Sequence, residues 1–115
     1  MPFNFTQTLT KILQILSTGH RAISHEILTL STNDAYSLTV PASARYALIT
    51  AEQVGGSGAA SIVRYWEDGS IPTTTDGISR GDFDAWDIYS YSNMKDFKVV
   101  RTTANAHKLF IQYYS

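Results

Sequence analysis

The chain has 115 residues, 43% hydrophobic and 17% charged, with nine Lys and Arg against ten Asp and Glu. That length fits one domain able to bury roughly two-thirds of its unfolded surface, and the composition is far from that of a disordered segment. A net charge of −1 with scattered basic residues argues against direct nucleic-acid binding, since each neutralised phosphate needs a Lys or Arg.

Cysteine is absent, so disulfides, thiolate nucleophiles and Cys-ligated metals are excluded. The opening MPFNFTQT lacks the basic and apolar regions of a secretory leader. No apolar run approaches the roughly 18 residues needed to cross a bilayer, so no membrane partner is expected.

In chain order, Phe5, Leu9, Ile12, Leu13 and Leu16 fall on one face of a helical pattern, with Asn4 or Thr6 as cap and Gly19 beyond the end. This predicts a short amphipathic helix, which either closes one end of the domain's own core or docks as an arm on a partner. Residues 20–24 read as a connection.

Residues 26–31 (EILTLS) and 36–40 (YSLTV) alternate as strands, and Pro41 ends the second. Residues 45–52 (RYALITAE) are apolar or small on both faces, which predicts a central strand covered on both sides. The glycine-rich QVGGSGAA that follows predicts a mobile loop. It lacks the lysine and the following helix that a phosphate loop requires.

Residues 62–66 (IVRYW) predict a strand with Ile62, Arg64 and Trp66 on one face and Val63 and Tyr65 on the other. Asp68 and Gly69 supply a turn, Asp68 by bonding its own downstream backbone and Gly69 by tolerating positive φ. Further strands are expected at residues 83–91, 97–102 and 108–114, with Asn93 in a turn. Short turns and no intervening helices predict a mainly all-β fold: an antiparallel β-sandwich or jelly-roll-like barrel of about seven or eight strands, with a short N-terminal helix or arm. Residues 1–24 would form the arm and residues 25–115 a single domain.

Six acidic residues, Glu67, Asp68, Asp76, Asp82, Asp84 and Asp87, crowd into twenty-one positions. Paired carboxylates suit glycoside hydrolysis and oxygen clusters suit calcium, but acids at hairpin turns ordinarily face solvent. The three histidines, His20, His25 and His107, fit neither HExxH nor a triad anchored by a Gly-x-Ser-x-Gly elbow, and are expected to be exposed. Neither a catalytic constellation nor a cofactor emerges. The aromatics Tyr65, Trp66, Trp86, Tyr89, Tyr91, Tyr113 and Tyr114 divide between core filling, a protein interface and a stacking platform for sugars. Because adjacent rings face opposite ways, one of each adjacent pair should lie outside the core.

Together SLTVPASARYALITAE, VRYWEDGSIPTTTDGI and the terminal LFIQYY resemble a group of small virion proteins of tailed phages. The matching positions are Val40, Pro41, Ala44, Ala47, Leu48, Ile49, Glu52, Val63, Arg64, Asp68, Gly69, Pro72, Thr73, Gly77, Tyr113 and Tyr114. The resemblance implies a non-enzymatic β subunit of the virion, made in the host cytoplasm and acting as an auxiliary capsid (decoration or cement) or head–tail protein. Its implied partners are the major capsid protein or other virion proteins, and further copies of itself as a homo-oligomer. Interface candidates under this reading are Phe5, Leu9, Ile12, Leu13 and Leu16 of the arm, with Arg64, Trp66, Trp86, Tyr89 and Tyr114. The alternative is a carbohydrate- or receptor-binding β-sandwich module.

Overall fold

The computed structural model describes residues 21–115; the expected helix with Phe5, Leu9, Ile12, Leu13 and Leu16 lies outside the described residues. Seven strands follow in order: β1 (Ala22–Leu30), β2 (Tyr46–Glu52), β3 (Val63–Trp66), β4 (Ile78–Arg80), β5 (Ala85–Tyr89), β6 (Lys98–Arg101) and β7 (His107–Tyr114). One helix, α1 (Tyr91–Asp96), sits between β5 and β6. The strands form two antiparallel sheets, ordered β1-β7-β2-β5 and β4-β3-β6. The mainly β, sandwich-like fold read from the sequence is therefore the observed one.

The core lies between the sheets and follows the alternation of β2, β3, β5 and β7. From the larger sheet come Leu30, Ala47, Ile49, Ala51, Trp86, Ile88, Leu109, Ile111 and Tyr113; Val63, Tyr65 and Val99 come from the smaller one. Tyr65 and Trp86 stack across the gap with centroids 5.2 Å apart and planes 11° apart, and Phe97 tilts against Tyr65 at 5.3 Å. Aromatic pairs of this kind add about 0.5–1.5 kcal/mol beyond their buried area. Arg80 places its guanidinium 5.1 Å from the Trp86 ring and donates to the Tyr65 hydroxyl at 3.3 Å, closing the stack with a cation–π contact.

Local departures from the expected pattern have physical causes. β1 begins at Ala22, inside the stretch read as a connection, because Arg21 and Ser115 already exchange both backbone bonds. Residues 36–40 form no strand: Tyr36 makes a single bridge to Val99, and the Thr39 N–H then turns to the Glu26 carboxylate at 2.8 Å. A side-chain acceptor thus replaces the ladder and carries the chain from one sheet to the other. The strand expected over residues 83–91 stops at Tyr89, since Ser90 caps α1, its hydroxyl accepting from the Asn93 N–H at 3.3 Å. Met94 on that helix reaches the core.

Candidate functional site

The larger sheet has a second, outer face, and its residues follow from the registers. Tyr46 lies opposite Tyr89 on β5 and Tyr114 on β7; Leu48 lies opposite Asp87 and Gln112; Thr50 lies opposite Ala85 and Phe110; and Phe110 faces Ile27 on β1. Period-2 alternation places all of these away from the core.

None of these residues is buried by the described chain: Ile27 is 55% and Tyr89 63% exposed, while Tyr46, Leu48, Phe110 and Tyr114 are half-buried. Among the described residues, the cover expected for β2 is present on one side only. Its inner face is covered by the smaller sheet, whereas the described residues leave its outer face, with the apolar Tyr46 and Leu48, without cover.

The outer face has two parts. At one end Tyr46 is flanked by two rings, stacked with Tyr114 at 4.6 Å and 5° and tilted 37° from Tyr89 at 5.9 Å. The three rings form a ladder across β7, β2 and β5. Desolvation within the ladder raises the Tyr46 pKa, with smaller contributions from Tyr114, Asp87 and Tyr89. The Tyr89 hydroxyl donates to Asp87 at 3.2 Å, and that carboxylate raises the Tyr89 pKa.

At the other end a shallow hollow of about 280 Å³ is lined by His25, Ile27, Leu48, Thr50, Phe110 and Gln112. The face as a whole offers apolar contact with a few polar groups at its edges, the composition of a protein–protein contact surface.

The remaining sequence-derived positions fall elsewhere. Trp86, expected among the interface residues, is 6% exposed and belongs to the core, because its strand parity points it at Tyr65. Arg64 and Trp66 share a half-buried face directed away from the core, where Val63 and Tyr65 point inward. Arg64 donates to the Gly77 carbonyl at 2.7 Å and the Thr74 carbonyl at 3.2 Å, clamping the loop that follows its own strand. Asp68 accepts from the Ser70 N–H at 3.0 Å and Gly69 has φ +85°, as the turn requires.

The acidic residues do not converge. Asp68 holds its own turn, Asp84 accepts from the Gly81 N–H, Asp87 serves Tyr89, and Asp82 accepts from Gln53 and Gly58 at 2.9 and 2.8 Å. Those two backbone bonds hold the Asp82 carboxyl below its usual pKa. Among the described residues no group of three side chains is placed to hold a metal.

The glycine-rich loop is tied at several points. Asp82 takes two of its N–H groups, His107 Nδ1 accepts from the Val54 N–H at 3.1 Å, and the Gln53 side chain accepts from Ala59 at 3.1 Å. The N–H groups of Gln53, Val54, Gly58 and Ala59 are thus engaged by the protein's own acceptors. His107, expected to be exposed, is fully buried: it opens β7 on the inward parity and bonds Thr103 through Nε2.

Sequence reasoning missed Tyr46, Leu48, Phe110 and Ile27 as a contiguous surface. The signal was present in β2, whose apolar residues on both faces require cover on both. Comparisons with protein-family models, curated proteins and solved structures gave no match.

Proposed function

We propose that this chain is a structural protein of a phage virion, an auxiliary capsid (decoration or cement) or head–tail component, working by association and not by catalysis. The sequence motifs that resemble small virion proteins support this reading. The structural observation that carries it is the outer face of the β1-β7-β2-β5 sheet, where the described residues leave Ile27, Leu48, Phe110 and the tyrosine ladder without cover. Covering that many large apolar side chains is a strong driving force for association, worth about 25 cal/mol per Å² before the cost of immobilising the partners.

A carbohydrate-binding reading draws on the same tyrosines with Asp87 and Gln112 beside them. It is the weaker of the two, because the central ring, Tyr46, is flanked by Tyr114 and Tyr89 and offers a sugar no free face.

The test is direct. The purified chain is mixed with particles assembled without it and sedimented, and in parallel passed over immobilised glycans. Saturable co-sedimentation is the expected result. Glycan binding by a monomer that ignores particles would overturn the proposal.

A further inference from the structure

We infer that His107 is a proton-operated latch on the glycine-rich loop: as a neutral ring it holds residues 54–57 against the sandwich, and on protonation it releases them while both sheets stay folded. The latch is independent of the outer sheet face and of the association proposed for it.

The hydrogen bonds of the ring select its protonation state. His107 opens β7 and is fully buried. Its Nδ1 accepts from the Val54 N–H at 3.1 Å, so the neutral ring carries its proton on Nε2, where the Thr103 hydroxyl accepts it. Both ring nitrogens are satisfied in this form. An imidazolium has two donors and no acceptor, so a proton added at Nδ1 meets the Val54 N–H head on. Two buried donors then face each other without an acceptor, and one of them has to leave.

The loop is the part that can leave. The ring is held by its strand, which pairs His107 with Leu30 of β1, and by Thr103. The ends of the loop are held by Asp82, whose carboxylate takes the N–H groups of Gln53 and Gly58 at 2.9 and 2.8 Å and whose own N–H donates to the Ala59 carbonyl at 2.9 Å. Gly81 lies so close behind that a Cβ there would meet the Ala59 and Ala60 carbonyl oxygens at 2.6 and 2.7 Å. Between these ties, the bond from Val54 to His107 is the hydrogen bond that holds residues 54–57 to the rest of the described chain. Gly55 and Gly58, at φ +85° and +72°, give that short segment a pivot at each end.

The charges around the ring suit a latch that opens locally. Arg101, at the end of β6, opposes a cation on His107, whereas Asp82 favours one. β1 faces the ring with Leu30, and Glu52 of β2 lies opposite Lys108, on the outer side of the sheet. With Val54 withdrawn, water reaches the imidazolium and the Asp82 carboxylate offsets its charge. The open form therefore takes up a proton near the ordinary histidine value of about 6.5, while the closed form resists it. Falling pH favours the open form, and Asp82 keeps the opening confined to residues 54–57.

Amide exchange in the full-length chain tests this, expressed as protection relative to an unstructured peptide at the same pH. Protection at Val54 should fall about tenfold between pH 7 and pH 5. Urea at up to about 1 M separates a local opening from unfolding of the whole chain. Protection at Val54 should be insensitive to it, because little surface is exposed, while protection at Ile49 should decline steeply. A folded His107→Gln chain should show no fall at Val54 with pH. Should that variant not fold, the urea comparison in the natural chain decides alone. Three results would overturn the latch: constant protection at Val54 from pH 7 to pH 5, a fall at Val54 with the same urea dependence as Ile49, or the same fall in a folded His107→Gln chain.

Discussion

Tyr46 and Tyr114 stand on neighbouring strands with ring centroids 4.6 Å apart and planes within 5°. The pair sits on the face of the sheet turned away from the core, as a cross-strand aromatic pair. With Tyr89 tilted against the other face of Tyr46, it makes a rigid ridge of little side-chain entropy, the kind of surface that binds proteins at low ordering cost.

Cross-strand stacking of this kind has a measurable energy. A double-mutant cycle on Tyr46→Leu and Tyr114→Leu, followed by urea unfolding, should return a coupling of about 0.5–1.5 kcal/mol. Additive effects would mean that the rings touch without stabilising each other.

The two tryptophans should separate cleanly. Trp86 fills the gap between the sheets against Tyr65 and Arg80, so Trp86→Ala should cost about 3–5 kcal/mol in unfolding free energy. Trp66, half-buried on the far side of β3, should cost less than about 1.5 kcal/mol on the same substitution. Equal losses would contradict the assignment of Trp86 to the core and Trp66 to the outside.

These two residues also mark how far the sequence could be read. Period-2 alternation was enough to give β2, β3 and β7, and to predict that Tyr65 and Trp66, or Tyr113 and Tyr114, point opposite ways. It could not say which parity is inward, because both faces of β3 and of residues 83–91 carry large rings. That choice is made by tertiary contact, in this case Tyr65 meeting Trp86 across the sheets. The same limit hid α1, whose only core contribution is Met94 and whose start depends on the capping side chain of Ser90. It also hid the burial of His107, which sits at the margin of a predicted turn but falls on the inward parity of β7. The outer face was legible as an excess of apolar residues in β2. Its partners Ile27 and Phe110 became visible only with the strand order, since β1 and β7 are far from β2 in sequence.

Burial holds the His107 pKa below the ordinary histidine value, Arg101 lowers it further, and Asp82 opposes the shift. The unfolded chain therefore takes up this proton first as pH falls. The stability contributed by the neutral ring is fully present above the unfolded pKa of about 6.5 and is lost below it, at no more than about 1.4 kcal/mol per pH unit, until the folded pKa is reached. Protonation also removes the acceptor for the Val54 N–H. Denaturation midpoints should fall between pH 7 and pH 5 in the natural chain, and fall much less in His107→Gln. Parallel pH profiles for the two proteins would count against this role for His107.

Asp82 fixes the glycine-rich loop through the N–H groups of Gln53 and Gly58. In Asp82→Ala both donors lose a charged acceptor. Amide exchange at these two residues should accelerate by about tenfold or more, with exchange at Ile49 and Ile111 changing far less. Uniform acceleration through the core would instead place Asp82 in global stability.

Association through the outer sheet face is the central claim, and charge on that face tests it most directly. Leu48→Glu and Phe110→Glu alter half-buried side chains outside the core, so each variant should keep a cooperative thermal transition. Sedimentation with particles that lack the chain should then show binding weakened at least tenfold in each variant, and close to background in the double variant. Wild-type attachment by a folded Leu48→Glu, Phe110→Glu chain would contradict it.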